Sequence, residues 1–492
     1  MDVVVGLDCG TTSTKAVVAG ADGVVRSVER VSYPLRVPAP GRAELDPRVL
    51  RSAVVEVLVR TAARLQAEGS RATAVCVSSA MHGLVAMDDD GTPRGPLQTW
   101  ADGRGAAALD GLREAAPGLA ARTGTPVHPM SPLVKLAATP DARSVPFWGG
   151  VKELLLALLV PGTRALDLST ASSSGLYDLR ARRWDDEALG LAGVVASQLG
   201  DVVATTAVVG GLGPGLGLPV GTPVVAGATD GPLANLGTGA VRPGVVALSL
   251  GTSGALRVVV DGPQAVPGLF CYALTEDRWV VGGAVNNGGS AVRWASTAMT
   301  DAEPDDATDA RLLQEAAQVP PLAEGLLCLP HLLGERAPWW RPGLAGAYVG
   351  LRRDHRRGHL VRAAVEGVCQ QLALVRRDLP GPVREVRATG GAVTSSLWLR
   401  VLTDALDLPV AVADSPEGSG LGACLLGLHA LGVLPDLDAA AALVHVGPAL
   451  QPDPAVATRY RRARPLVEQV VAALSALDLG LLGEPGGPTL AP

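Results

Sequence analysis

Two stretches of the chain repeat one pattern of apolar and polar positions. Val3-Val4-Val5-Gly6-Leu7-Asp8 reads as a strand, followed by a small, hydroxyl-rich turn at Gly10-Thr11-Thr12-Ser13-Thr14. Lys15-Ala16-Val17-Val18-Ala19 then returns as a second strand, closed by a turn at Asp22-Gly23. About half the chain length later the pattern recurs. Val245-Val246-Ala247-Leu248-Ser249-Leu250 is the strand, Gly251-Thr252-Ser253-Gly254 the turn, and Ala255-Leu256-Arg257-Val258-Val259-Val260 the return. A period that long is not a solenoid repeat. It predicts two domains of similar topology, each presenting a Gly-Thr hairpin to a shared cleft.

Elsewhere strand and helix patterns alternate. Residues 47–67 read as a helix with Pro47 near its start, and residues 71–79 as a strand. Leu360 to Arg377 is helical, and Val383 to Thr389 is a strand ending in Gly390-Gly391. Such alternation predicts an α/β fold in layers. The Gly- and Pro-rich stretch Gly210 to Pro223 reads as a loop. The domain boundary is placed near residue 243, giving units 1–243 and 244–492. The tail from Gly483 onward is expected to fray.

Composition narrows the classes. The chain has 492 residues, 48% hydrophobic and 18% charged, which fits a globular protein of more than one domain. Aromatics are only 3%, so Ala, Val and Leu must build the core. Lysine occurs only at Lys15, Lys135 and Lys152, and arginine carries nearly all the positive charge. The net charge of -6 and the lack of a basic stripe argue against a nucleic-acid partner. The densest basic cluster, Arg352 to Arg357, reads as a solvated loop or helix start. Six scattered cysteines without a C-x-x-C pair predict reduced thiols and a cytoplasmic protein. No signal-like start and no apolar run of spanning length is present, so no membrane partner is expected.

The candidate chemistry gathers at the turns. Two Gly-Thr hairpins facing one cleft offer converging amides and hydroxyls to phosphates. Asp8, at the end of the first strand, is placed to hold Mg2+ through water. Lys15 follows the turn directly; its ammonium either meets a phosphate or is a surface hairpin lysine. In Arg387 to Ser396 a strand, Gly390-Gly391 and a helix start let backbone approach a flat ring or ribose closely. Asp230-Gly231, taken alone, is a plain turn signal.

Longer segments carry a resemblance. They are Ser78 to His82, Thr99 to Arg104, Arg122 to Met130, Phe270 to Glu276, Val281 to Gly289, and Gly334-Glu335-Arg336-Ala337-Pro338. With these in order, nearly the whole chain resembles the carbohydrate kinases named for their F-G-G-Y signatures, and most of all the gluconate kinases. That family belongs with hexokinase to the actin-like ATPase superfamily. The resemblance implies two actin-like ATPase (ribonuclease H-like) domains flanking a nucleotide and sugar cleft. It implies phosphoryl transfer from MgATP to a sugar hydroxyl, with the Asp of Gly-x-x-Asp-Gly, here Asp230, as general base. Met81, His82, Trp100, Asp102 and Arg104 match sugar contacts. Trp100 is equally readable as core, and Arg104 as an ion-pair partner of Asp102. Thr11, Thr12, Ser13 and Lys15 match the first phosphate loop and Thr252 the second, while Gly289, Gly391 and Ser395 match positions cradling adenosine and ribose. Ser395 stands where some relatives place Asn, which removes an adenine-edge contact.

The expected substrate is D-gluconate, phosphorylated to 6-phospho-D-gluconate. Its carboxylate requires a local cation or several donors, for which Arg104, His128 and His82 are the candidates. His128 can also be a structural histidine before a proline turn. Gly83, where gluconate kinases are associated with Ser, keeps D-xylulose open as the alternative. A non-catalytic sugar sensor and an ATP-switched chaperone or filament protein share the fold. The intact Asp8, Asp230 and Gly390-Gly391 argue against the first, and the sugar segments against the second. The oligomeric state stays open, a homodimer included.

Overall fold

The computed structural model describes residues 1–300 and 305–477. The predicted tail from Gly483 lies outside the described residues.

The first half is built on a six-stranded mixed sheet. Its strands are β1 (Asp2–Cys9), β2 (Ser13–Gly20), β3 (Val25–Ser32), β4 (Arg71–Ser79), β5 (Val208–Gly211) and β6 (Pro223–Thr229), in the order β5-β6-β4-β1-β2-β3. Strands β1, β4 and β6 run parallel, while the β1–β2 and β2–β3 pairs are antiparallel hairpins. The stretch read as a Gly/Pro loop contributes the edge of this sheet. Val208–Gly211 pairs antiparallel with β6, and only the residues between them turn. A short edge strand with two glycines carries almost no apolar alternation, so its pairing left no trace in the pattern.

Both faces of β1 are covered, which explains its unbroken apolar run. Val3, Val5 and Leu7 pack with Leu50, Val54 and Val57 of helix α1 (Pro47–Ala67) and with Leu154 to Leu156 of helix α2 (Val151–Leu159). Asp46 caps α1 by accepting from the Arg48 amide, with Pro47 in its first turn. Val4 and Val17 face the other way, into a core that continues through the second half of the chain.

The second half repeats the design. Strands β7 (Val245–Leu250), β8 (Gly254–Asp261), β9 (Phe270–Ala273), β10 (Arg278–Val285), β11 (Glu385–Thr389) and β12 (Val410–Val412) form a sheet ordered β9-β10-β8-β7-β11-β12. Five of them, β10-β8-β7-β11-β12, match β3-β2-β1-β4-β6 in order and direction. The predicted hairpin repeat is therefore a repeat of five strands, and the sixth is added at opposite edges of the two sheets. Helix α4 (Gly289–Met299) follows β10, and α5 (Arg357–Asp378) begins inside the basic cluster Arg352 to Arg357.

Two helices hold the halves together. Helix α3 (Asp230–Gly237) follows β6, and α6 (Gly418–Ala430) reaches back from the second half to the first sheet. Their backbones nearly touch. A Cβ at Gly237 would lie 1.8 Å from the Gly418 carbonyl, and one at Gly422 would lie 2.0 Å from the Leu233 carbonyl. A Cβ at Gly6 of β1 would meet the Gly420 carbonyl at 2.2 Å. Only glycine permits that approach.

Candidate active site

The carboxyl ends of parallel strands collect the reactive groups, as open α/β sheets do. Asp8 of β1 is in register with Ser78 of β4, and Ser79 is in register with Thr229 of β6. Asp230 follows as the first residue of α3. Its aim depends on an irregularity in β6. The pairing of β6 with β4 shifts between Val225 and Ala228, where Gly227 adopts φ +71°. A Cβ at Gly227 would stand 1.8 Å from the Val77 carbonyl. Buried Lys152 stabilises the bulge. Its Nζ donates to the carbonyls of Val77 and Ala226 at 2.8 Å and of Ala228 at 3.2 Å, and lies 3.3 Å from the Asp167 carboxylate.

Asp230 opens onto a cavity of about 300 Å³ between the two halves. Burial, then the neighbouring Asp8 charge, push its carboxyl up to about 7, against the pull of the Arg257 guanidinium. Burial also raises Asp8, whose Oδ1 accepts from the Ser78 hydroxyl at 2.7 Å. Two carboxylates thus share one enclosed place. Among the described residues, no group of three or more His, Cys, Asp or Glu could hold a metal by itself. One or two carboxylates at a phosphate site are, however, the donor set Mg2+ uses.

The sugar-side residues separate into two groups. Met81, His82, Trp100 and Asp230 line the cavity. His82 adopts φ +66° in the turn after β4, and its ring meets Tyr272 edge-on at 5.7 Å. Buried Lys135 ties this turn to the tryptophan segment, donating to the carbonyls of His82 at 2.6 Å and Thr99 at 2.5 Å. The Trp100 indole N–H donates to the Thr11 hydroxyl at 3.1 Å, linking the sugar side to the first loop.

Asp102 and Arg104 stand apart from this lining. Asp102 is buried and accepts from the amides of Ala43 and Arg104 and from the Arg104 guanidinium. Arg104 also pairs with Glu44 at 2.9 Å. The two are spent on each other, the ion-pair reading of the sequence. His128 packs edge-on against Trp340 and accepts from the Met130 amide at its Nδ1. Burial, reinforced by nearby cations, pushes the imidazoles of His82 and His128 down to about 3. That leaves them the part of neutral hydrogen-bonding groups, the second of the two parts the sequence allows them. Gly83 borders α2, where a Cβ would make only ordinary contact with Val151 and Leu97, and it does not line the cavity.

On the nucleotide side, the turn at Gly10 to Thr12 closes by a bond from the Gly10 amide to the Ser13 carbonyl. Lys15 does not point a free ammonium at this turn. It pairs with Glu417 at 2.6 Å, just before α6, and Glu417 also binds Arg30. The second turn receives the amides of Gly288 and Ser290 on the Thr252 carbonyl and that of Gly289 on the Gly251 carbonyl. Gly390 adopts φ +105°, its missing Cβ allowing approach to the Leu250 carbonyl. Exposed Gly391, with open space where a Cβ would go, and half-buried Ser395 lie beyond it, at the end of β11 beside the end of β7.

Two cavity cations were missed among the site residues. Arg257 of β8 donates to Asn235 Oδ1 at 3.0 Å and to the Ser249 hydroxyl at 2.7 Å. Its signal was a lone charge inside an apolar strand run. Arg336, from the Gly334 to Pro338 segment, stands over the Trp100 ring at 5.2 Å.

A model of the FGGY family of carbohydrate kinases, N-terminal domain, matches residues 3–237, and one of its C-terminal domain matches residues 246–431. The chain belongs to the FGGY family of carbohydrate kinases. As an FGGY kinase it is an ATP-dependent sugar phosphotransferase, and the two repeated sheets are the actin-like ATPase type of fold. It is 38% identical to a gluconokinase of Bacillus subtilis (strain 168) over 462 residues, 89% of this chain and 90% of that one. Among solved structures it is similar to a gluconate kinase and to a ligand-bound xylulose kinase, both from Lactobacillus acidophilus. Each superposes with a TM-score of 0.91 at 29% identity, covering 98% of this chain and 100% of that one. Asp230 is the carboxyl that lines this cavity, together with Ser253 and Gly254 of the second Gly-Thr turn.

Proposed function

We propose that this FGGY kinase transfers the γ-phosphoryl group of ATP to the C6 hydroxyl of D-gluconate, giving 6-phospho-D-gluconate and ADP. The observation that carries the mechanism is Asp230, a carboxyl raised to about 7 at the junction of the sugar cavity and the phosphate turns. A base with that affinity takes a proton near neutral pH as the alcohol attacks phosphorus. The two Gly-Thr turns bind the phosphates of ATP through backbone amides and the hydroxyls of Thr11, Thr12, Ser13 and Thr252. Gly289, Gly391 and Ser395 border the adenosine. Arg257, facing Asp230 from the second half, stabilises charge on the transferred group.

Asp8 suits Mg2+ held mostly through water and phosphate oxygens, and the ion would neutralise phosphate charge. Met81 and Trp100 give carbon faces for the sugar chain, and neutral His82 hydrogen-bonds a hydroxyl. Gluconate is favoured over xylulose by the gluconokinase relatives over most of the chain. The Gly83 signal for xylulose loses weight because that residue is outside the cavity. Six free, buried cysteines support a reducing, cytoplasmic setting.

The test is ADP release with MgATP and D-gluconate, D-xylulose, L-ribulose, glycerol or no acceptor. Strong turnover on gluconate with a phosphomonoester at C6 is expected. Turnover on xylulose alone would overturn the substrate and keep the kinase.

A further inference from the structure

We infer that Lys152 and Ser169 are positioning residues for the base: from outside the cavity they fix the backbone on either side of Gly227 and so aim the Asp230 carboxylate at the acceptor hydroxyl. This rests on Asp230 as the base and adds the groups that hold it in place.

The need for them begins in β6. Its pairing with β4 runs from Val225 opposite Cys76 to Ala228 opposite Ser78, so Ala226 and Gly227 together face Val77. In a strand, one residue more or less turns every later side chain to the other face. The bulge therefore decides the direction of Thr229 and of Asp230, the first residue of α3.

Two side chains hold that direction. The Lys152 ammonium donates to the Val77 carbonyl on the regular strand and to the Ala226 and Ala228 carbonyls on either side of Gly227. An ammonium has three donors, and each has an acceptor here. Ser169 holds the next residue. Its hydroxyl accepts from the Thr229 amide at 3.2 Å and shares a hydrogen bond with the Thr229 hydroxyl at 2.9 Å. The backbone is thus held up to the residue before Asp230.

The two supports are joined. Asp167, 3.3 Å from Lys152 Nζ, accepts from the Thr170 amide at 2.9 Å and the Thr170 hydroxyl at 2.7 Å. It thereby caps the helical turn Leu168–Ser172, which carries Ser169. At the other end of this turn, Ser172 Oγ accepts from the Ala273 amide of β9 at 3.0 Å. The base is therefore tied to the second half, the half that supplies Arg257. Lys152, Asp167 and Ser169 are each 1% exposed or less, and none lines the cavity that Asp230 opens onto. They reach the reaction only through the backbone. A buried ammonium–carboxylate pair is often no more stabilising than apolar side chains of the same size. Geometry explains its place here: an ammonium on three carbonyls fixes a bulge that apolar packing would leave free to slip.

The experiment is a double-mutant cycle on the whole enzyme with MgATP and D-gluconate, or D-xylulose should that be the acceptor turned over. Lys152→Met should lower kcat about 100-fold and leave the KM for each substrate within about threefold. Ser169→Ala, a smaller change, should lower kcat about tenfold in the same way. In an Asp230→Asn background no base remains to be aimed, so either change should alter the residual kcat by less than about twofold. A residue with a merely structural part would add its loss there too. A rise in Tm with ATP equal to that of wild type shows each variant to be folded. Should Lys152→Met fail that check, Ser169→Ala decides alone. Additive losses, a raised KM with kcat kept, or unchanged kinetics in Ser169→Ala would overturn the inference. An Asp230→Asn enzyme that turns over like wild type is a different failure, that of the base itself.

Discussion

Two hairpins of one design end in different chemistry. In the first half, the residue two positions before the turn glycine Gly10 is Asp8, which accepts from Ser78. In the second half, the residue two positions before Gly251 is Ser249, which accepts from Arg257. Five strands of each sheet share order and direction, and each turn closes onto its own glycine amide. Yet the first half brings the carboxylates Asp8 and Asp230, and the second brings the guanidiniums Arg257 and Arg336. A duplicated frame has been divided so that the acid belongs to one wall of the cleft and the free positive charge to the other. Phosphoryl transfer needs that division, with a base on the acceptor and cations on the migrating charge.

The division can be broken at four places. The largest effect is expected from Asp230→Asn, which removes the base and should lower kcat about 1,000-fold in steady-state ADP release. The same variant should melt higher than wild type at pH 8. Asp230 is raised from 3.8 to about 7, so the folded state holds its proton more tightly than the unfolded one. Its contribution to stability is therefore favourable at low pH and lost as pH rises through about 7. The gain in Tm from Asn should accordingly vanish below about pH 4.

Asp8→Ser gives the first half the residue of the second. Turnover should fall about 100-fold or more, and the free Mg2+ needed for half-maximal rate should rise. An unchanged Mg2+ dependence would separate Asp8 from the metal. Next comes the glycine contact between the halves. Gly237→Ala drives a methyl into the Gly418 carbonyl and should cost about 3 kcal/mol in urea unfolding. Gly251→Ala, with nothing within 4 Å of the added Cβ, should change stability far less. The smallest effect belongs to the surface. Arg357→Ala loses a half-exposed pair with Glu315 and should shift stability by under about 1 kcal/mol.

Much of this was legible because β1, β7 and their turns are local patterns. The helix over residues 47–67 and the strand over 71–79 appear as read, since Pro47 and the β-branched run act over short range. The reach of α6 back to the first sheet was not legible. It depends on glycines at 237, 418, 420 and 422 meeting across the chain, and a glycine in a sequence does not say what approaches it. The roles of charged groups were similarly hidden. Lys15, Asp102 and Arg104 match phosphate and sugar contacts by position, yet they are spent on pairs. Arg336 was quoted within its segment but not singled out, because only burial without a counter-ion marks it as a site residue. Whether His82 and His128 serve as cations or as neutral hydrogen-bonding groups was open in the sequence, because it depends on their enclosure.

The most direct test of the account is the pH dependence of kcat/KM for D-gluconate at saturating MgATP. If the buried Asp230 carboxyl is the base, the rate should fall on the acid side with an apparent pKa of about 7. An acid limb near 4, the value of an ordinary carboxyl, or no limb at all between pH 5 and 8, would contradict it.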